Sequence, residues 1–129
     1  MKNDADWELI HAYTRKQAIE DGVLVDVSEM AKEAGYRIPV ALTQAVWVKC
    51  VEVPPSVQGQ DEAGRLWDLL WMCRLAINRN RSDLPEVLFQ LHVRNDNRSE
   101  IPLSEVLKAG IGPDDDGSPC ITIMMIDED

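Results

Sequence analysis

The sequence predicts an α+β domain in which helices pack on one face of an antiparallel β-meander of three strands or slightly more. Apolar residues recur with a helical period as far as about residue 77, and from residue 86 they alternate with polar residues, as in half-buried strands. Turn-forming segments separate the strand-like stretches, which favours antiparallel neighbours. The 129 residues suit a single domain. Its helical part is expected over about 1–77 and its sheet over about 86–126.

The segment before the first predicted helix, residues 7–13, is expected to be a short strand or an ordered lead-in. It contains Trp7, a large aromatic residue near the terminus. Such a residue anchors either the fold or a partner.

The next part of the chain carries the signals of two short helices. Thr14 and Gln17 have the spacing of a capping box, in which each side chain binds an otherwise unpaired backbone N–H, and this predicts a helix over 15–21. Ser28 follows an extended, β-branched stretch and is expected to cap a second helix over 29–34. A glycine directly follows each range, which favours helix ends there.

Two longer helices are expected next. Pro39 suits the first position of a helix, and Leu42, Val46 and Cys50 then recur on one face. The following helix, over about 61–77, is predicted to be the central one because its apolar surface is too broad for a single contact. Its two adjacent stripes are Leu66, Leu69, Leu70, Cys73 and Ile77, and Trp67, Trp71 and Leu75.

From residue 86 the apolar pattern changes to a period of two, typical of strands. The first strand is predicted over 86–94, the second within 101–111 and the third over 121–126, with turns at 95–98 and 114–117. These short links give an antiparallel meander. Its apolar face is expected to pack on the central helix, so that one cluster buries Leu66, Trp67, Leu70, Trp71 and Phe89.

The charge of the chain is strongly acidic and unevenly distributed. The net charge is −10, and residues 99–129 contribute −7 of it with eight acids and one base. Direct binding of nucleic acid is not expected, because phosphate contacts need clustered Lys and Arg. The acids serve either solubility or a protein-binding face. For that face the candidate partner-binding residues are Asp114, Asp115, Asp116, Asp127, Glu128 and Asp129.

Within this acidic set we favour the turn at 112–117 as the contact. A hairpin turn holds its carboxylates in place, whereas a chain end loses more conformational freedom on binding. The turn and the chain end lie on either side of the last predicted strand, so one compact partner groove is expected to contact only one of them.

No metal, cofactor or catalytic site is predicted. His11, His92 and the three cysteines lack the spacing of metal ligands. Asp114 and Asp116 have the spacing that begins a calcium loop, but Met125 stands where the closing glutamate is required. Neither a phosphate-binding glycine loop nor a nucleophile signature is present in the sequence.

The cysteines and the apolar pattern predict a cytoplasmic protein. Cys50, Cys73 and Cys120 are odd in number and have apolar neighbours, which favours buried free thiols in a reducing compartment. No apolar run approaches the roughly 20 residues that span a bilayer, and residues 1–6 are polar rather than signal-like. We therefore expect neither export nor a membrane partner.

Five blocks of the sequence, taken together, resemble a family of uncharacterised short acidic proteins of bacteria, plasmids and phages. The blocks are WELI (7–10), DGVLVDV (21–27), PVALT (39–43) with AVW (45–47), DEAGRLWD (61–68) and GPDDDG (112–117). They span nearly the whole chain. The turn block is more acidic than the Gly-Asp-Asp-Gly often found in the family. The resemblance supplies no catalytic residues.

A small acidic protein of mobile elements is similar in kind to anti-CRISPR and anti-restriction inhibitors. The resemblance therefore implies a stoichiometric protein inhibitor of a bacterial defence complex, with a CRISPR-Cas subunit as the expected partner. An array of carboxylates competes with phosphates for a basic groove and steers association. Two alternatives stay open: a non-inhibitory regulatory or housekeeping binding module of plasmids, and a small enzyme with an unrecognised site.

Overall fold

A mixed β-sheet is the framework of the protein. The computed structural model describes residues 13–55, 57, 59–80, 85–93 and 103–128. Within these residues five strands form one sheet in the order β1-β2-β5-β4-β3. All neighbouring pairs are antiparallel except β2 and β5, which are parallel. The strands are β1 (Leu24–Asp26), β2 (Val40–Thr43), β3 (Glu86–Val93), β4 (Leu103–Pro113) and β5 (Pro119–Met125).

The α+β class is confirmed, but the purely antiparallel meander is wrong. The expected meander is present as β3-β4-β5, and β2 extends it in parallel to β5. The predicted helix beginning at Pro39 is wrong in its first part, where residues 40–43 form β2 near the middle of the sheet, and is found in its second part, over Gln44–Val46 and Trp47–Val51. Val40, Ala41 and Leu42 are fully buried. A strand covered on both faces is a continuous apolar run, which sequence periodicity does not separate from a buried helix.

The helices alternate with the first strands, so the region over 1–77 is not purely helical. They are α1 (Arg15–Glu20), α2 (Ser28–Glu33), α3 (Gln44–Val46), which continues as a π-helix (Trp47–Val51), and α4 (Glu62–Arg79). Residues 7–12, with Trp7 and His11, and the turn at 95–98 lie outside the described residues.

Two predicted helix caps have different outcomes. The capping box at α1 is confirmed: the Thr14 hydroxyl accepts from the Gln17 N–H at 3.0 Å, and the Gln17 side chain accepts from the Thr14 N–H at 3.1 Å. Ser28 does not cap α2, because it is the first residue of that helix. Its hydroxyl instead donates to the Asp26 carboxylate at 2.6 Å and accepts from the Val40 N–H at 3.0 Å. Ser28 thereby ties the start of α2 to the sheet.

Helix α4 packs on one face of the sheet and forms the main core. Leu66, Leu69, Leu70 and Cys73 are buried there, in one cluster with Phe89. The expected burial of Trp67 and Trp71 is wrong, since they are 38% and 41% exposed. Only one stripe of α4 faces the sheet, and the neighbouring stripe lies on its flank. The cysteines are buried free thiols, as predicted: Cys50, Cys73 and Cys120.

Helix α1 lies on the opposite face of the sheet. On β5, Ile121 and Ile123 belong to the α4 core, so the intervening Thr122 points to the other face. The Arg15 guanidinium of α1 donates to the Thr122 hydroxyl at 2.6 Å and to the Ile121 carbonyl at 2.8 Å. Helices therefore cover both faces, which corrects the expectation of a single covered face.

Candidate functional site

The acidic turn joins β4 to β5 and has a defined backbone. The Asp114 N–H donates to the Ser118 carbonyl at 2.7 Å, and the Gly117 N–H donates to the Asp114 carbonyl at 2.9 Å. Gly117 has a φ of +86°, a conformation that glycine adopts without the steric cost that a Cβ imposes. The predicted turn is therefore present, with a backbone fixed by hydrogen bonds at both of its ends.

The Asp115 carboxylate forms hydrogen bonds within the fold. Its two carboxylate oxygens accept hydrogen bonds from the backbone N–H groups of Arg15 at 2.8 Å and Lys16 at 3.0 Å. These are the first residues of α1, whose N–H groups lack partners within the helix. A negative charge at this end of a helix is favourable. Asp115 therefore fastens α1 to the β4–β5 turn.

The other two aspartates of the turn support its local geometry. Asp114 accepts from the Asp115 N–H at 2.7 Å, and Asp116 accepts from the Ser118 N–H at 3.0 Å and from the Ser118 hydroxyl. The hydrogen bonds from Ser118 lower the pKa of Asp116, so its carboxylate is held in the charged form. Asp116 is exposed and Asp114 half-buried.

The acids at the chain end also differ in their contacts: Glu128 forms hydrogen bonds within the fold, whereas Asp127 is exposed. The Glu128 carboxylate accepts from the Thr43 hydroxyl at 2.8 Å and from the Met125 N–H at 2.7 Å, which joins the end of β5 to β2. Asp127 is exposed, and Asp129 lies outside the described residues. The structure places β5 between the turn and the chain end, as predicted, but Asp115 of the turn and Glu128 of the chain end both line one groove of about 670 Å³, which corrects the expectation that a single groove contacts only one group. The partner-binding role of the acids stays a prediction.

An aromatic surface on the flank of α4 was missed by the sequence reasoning. We call it the tryptophan face and define it as Trp67, Trp71 and Arg74. The indole rings are stacked, with centroids 6.3 Å apart and an interplanar angle of 13°. The Arg74 guanidinium lies 5.8 Å from the centre of the Trp71 ring. Residues three and four apart are neighbours on a helix surface, so this arrangement follows from the sequence spacing.

A glycine that follows the neighbouring helix α2 makes room for Arg74. Gly35, just after α2, has a φ of +102°, and a Cβ placed there would lie 2.8 Å from the Arg74 Cζ. The guanidinium is thus packed between the α2 end and the Trp71 ring. A side chain larger than glycine at this position would therefore clash with Arg74.

Carboxylates border the tryptophan face at the start of α4. A groove of about 420 Å³ is lined by Trp67 together with Asp61 and Asp68. Asp61 caps α4, since its side chain accepts from the Gly64 N–H at 2.6 Å. Asp68 is exposed on the next turn of the helix. Exposed indole rings beside carboxylates form a surface that suits apolar and cationic side chains of another protein.

The buried thiols do not have the features of nucleophiles. Burial raises the pKa of Cys50 to about 11 and that of Cys73 to about 11. A thiol with a raised pKa is protonated near neutrality, and the thiolate is the reactive form. Near them, Tyr36 donates its hydroxyl to the Leu70 carbonyl at 2.7 Å and ties the segment after α2 to α4.

The described part of the chain contains neither a cluster of metal-ligating side chains nor a membrane-spanning helix. Among those residues, no group of three or more His, Cys, Asp or Glu side chains has the arrangement needed to hold a metal ion. No helix in the same residues is long and apolar enough to cross a bilayer.

Comparison with known proteins gives a family without an assigned activity. The chain matches the model of a family of unknown function (DUF6573) over residues 1–129. No curated protein and no solved structure matches the chain. The predicted membership of an uncharacterised family is confirmed to this extent.

Proposed function

The chain belongs to the DUF6573 family over its whole length, and we propose that it is a stoichiometric protein inhibitor that binds its target through the tryptophan face. The proposed target is a bacterial defence complex, with a CRISPR-Cas subunit as the bound partner. The exposed, stacked pair of Trp67 and Trp71 is the observation that carries the binding part of this proposal. The choice of target rests on likeness in kind to inhibitors of mobile elements.

The composition of the tryptophan face supports a protein partner. Trp and Arg are the residue types most enriched among those that dominate binding energy in interfaces. Here they stand on a helix of 18 residues whose adjacent stripe is anchored in the core. Binding to such a surface requires little rearrangement, so most of the contact energy remains available for affinity.

The charge of the chain supports a basic target. A net charge of −10 attracts a positively charged surface before the two proteins touch, and so speeds their association. Asp61 and Asp68 place carboxylates next to the indole rings, where they are able to pair with Lys or Arg of the target. Asp114, Asp116 and Asp127 are proposed to add to this steering, while Asp115 and Glu128 stabilise the fold.

Affinity capture tests the proposal. The tagged full chain is incubated with lysate of a bacterium that carries CRISPR-Cas and restriction systems, and bound proteins are identified by mass spectrometry. The same capture is run with Trp67→Ala/Trp71→Ala and with a control, Val48→Ala, which truncates a residue that is 54% exposed on the π-helix. A captured nuclease complex is then assayed for cleavage with and without the protein.

We expect a defence subunit to bind the parent and Val48→Ala but not the double tryptophan variant, and its cleavage activity to fall at a defined molar ratio. Capture of plasmid replication or partition proteins instead, with cleavage unaffected, would support the regulatory alternative. Equal capture by all three proteins would remove the tryptophan face from the proposal.

A further inference from the structure

The two edges of the sheet differ in how they are protected against pairing with another strand. Among the residues that the structure describes, the edge strands are β1, with three residues, and β3, with eight. Natural proteins protect edges with short strands, lysines, prolines or bulges. The sequence of β3, EVLFQLHV, contains neither lysine nor proline, and its register with β4 is continuous from Glu86 to Val93. The β3 edge thus has the features of a strand that pairs further.

The hydrogen-bond pattern shows which backbone groups point outward from β3. The Ile111 N–H of β4 donates to the Pro85 carbonyl at 2.8 Å, so Pro85 and Ile111 form a hydrogen-bonded pair. In an antiparallel ladder, hydrogen-bonded and non-hydrogen-bonded pairs alternate. The backbone N–H and C=O groups of every second residue from Glu86 therefore point away from β4, at Glu86, Leu88, Gln90 and His92.

In one antiparallel register, all the outward backbone N–H and C=O groups of β3 pair with those of a second copy of β3. With a two-fold axis at Phe89, Leu88 stands opposite Gln90 of the second copy, and Glu86 stands opposite His92 of the second copy. Shifting the register by two residues in either direction leaves one of these outward positions opposite a residue beyond the strand. The complete register also places a carboxylate opposite an imidazole at both ends. Cross-strand pairs of complementary charge or hydrogen bonding stabilise a sheet.

We propose that two copies of the chain associate through β3 in this register and form one continuous sheet across a two-fold axis. Such an interface is isologous, because the same strand is used by both copies. It also covers apolar surface beside the edge. A groove of about 590 Å³ is lined there by Met72, Leu75 and Ala76 of α4 and by Leu88. Met72 is 38% and Leu88 57% exposed in the single chain.

This interface adjoins the tryptophan face but shares none of its three residues. Trp67, Trp71 and Arg74 do not line the groove beside β3, although Leu75, one helical turn after Trp71, does. The self-association therefore neither requires nor excludes the proposed target. Its test uses the purified chain alone, so its failure is distinguishable from failure of the proposed inhibition.

Sedimentation velocity of the purified full chain over a range of concentrations tests the pairing. We expect the parent to shift from monomer to dimer as concentration rises. His92→Glu places a carboxylate opposite Glu86 at both ends and is expected to raise the dissociation constant about tenfold or more. The double variant Glu86→Lys/His92→Glu restores opposite charges and is expected to return most of this loss. Gln44→Glu, an exposed position on α3, is the control for the added negative charge.

A second variant tests the backbone pairing itself. Gln90→Pro removes an outward N–H from the edge, where proline is tolerated because the ladder with β4 does not use that group. We expect this variant to stay monomeric, with circular dichroism showing the parent fold. A parent that stays monomeric at every concentration would overturn the proposal. A dimer that His92→Glu and Gln44→Glu weaken equally would also overturn it. If Gln90→Pro does not fold, the comparison of His92→Glu with Glu86→Lys/His92→Glu still tests the proposed register.

Discussion

The acidic turn and the tryptophan face are both at the surface, but their side chains serve opposite purposes. In the turn, Asp115 accepts two backbone N–H groups of α1, and Asp116 accepts from Ser118. On the tryptophan face, the rings of Trp67 and Trp71 stack on each other and remain about two-fifths exposed, at 38% and 41%. Two of the three carboxylates of the turn thus form hydrogen bonds that stabilise the fold, whereas the two indole rings remain exposed.

The stripe of α4 that faces the sheet should control stability, in contrast to the flank. Leu70→Ala removes a fully buried side chain and is expected to cost about 2–5 kcal/mol in free energy of unfolding. Trp71→Ala, one residue away, loses mainly ring contacts and is expected to cost about 1 kcal/mol. Urea denaturation followed by circular dichroism measures both. Equal losses would mean that Trp71 belongs to the core.

For binding to the target, in contrast, we expect the exposed Trp71 to matter more than the acidic turn. Trp71→Ala is expected to weaken binding to the captured target by about 2 kcal/mol or more, which is roughly a 30-fold higher Kd. Asp114→Asn in the acidic turn is expected to change the Kd by less than about threefold, as typical of a peripheral charge. Titration calorimetry with the purified target gives both values. A larger effect from Asp114→Asn would make the turn the main contact.

Within the turn, the three aspartates should differ although they are consecutive. Asp115→Ala removes the acceptor for two N–H groups of α1 and is expected to destabilise the protein by about 1 kcal/mol, the usual cost of a lost helix cap. Asp127→Ala, an exposed acid after β5, is the control and should change stability by less than about 0.5 kcal/mol. The melting temperature reports both. Neutralising the turn as a block therefore tests stability and binding at once, and single substitutions are needed to separate them.

The sequence predicted local features of the fold better than its long-range pairing. The capping box of Thr14 and Gln17 and the alternation in β3 are set by neighbouring residues, and both were found as expected. β2 was mistaken for a helix because it is buried on both faces, and its parallel partner β5 lies far away in sequence. Its parallel pairing with β5 leaves no signal in a local window.

The candidate site was harder to predict for a related reason. The second stripe of α4, with Trp67 and Trp71, was visible in the sequence, but its exposure depends on how many elements cover the helix. Likewise Asp115 and Arg15 are a hundred residues apart, so no spacing rule connects that carboxylate with the start of α1. Charge and aromatic content are visible in a sequence, whereas the contacts that consume or expose them are set by the tertiary fold.

The smallest expected effect concerns pH and the charge of Asp116. Hydrogen bonds from Ser118 lower the pKa of Asp116 in the folded protein. A carboxyl whose folded pKa lies below its unfolded value stabilises the fold above the unfolded pKa of about 3.9, and this stabilisation is lost as the pH falls through the folded pKa. Asp116→Asn removes the titrating group and keeps an oxygen that accepts from Ser118. We therefore expect its urea midpoint to fall slightly less steeply below about pH 4 than that of the parent. Asp127→Asn controls for the general loss of one negative charge. If the urea midpoints of Asp116→Asn and Asp127→Asn depended on pH in the same way below about pH 4, the Ser118 contact would contribute nothing specific.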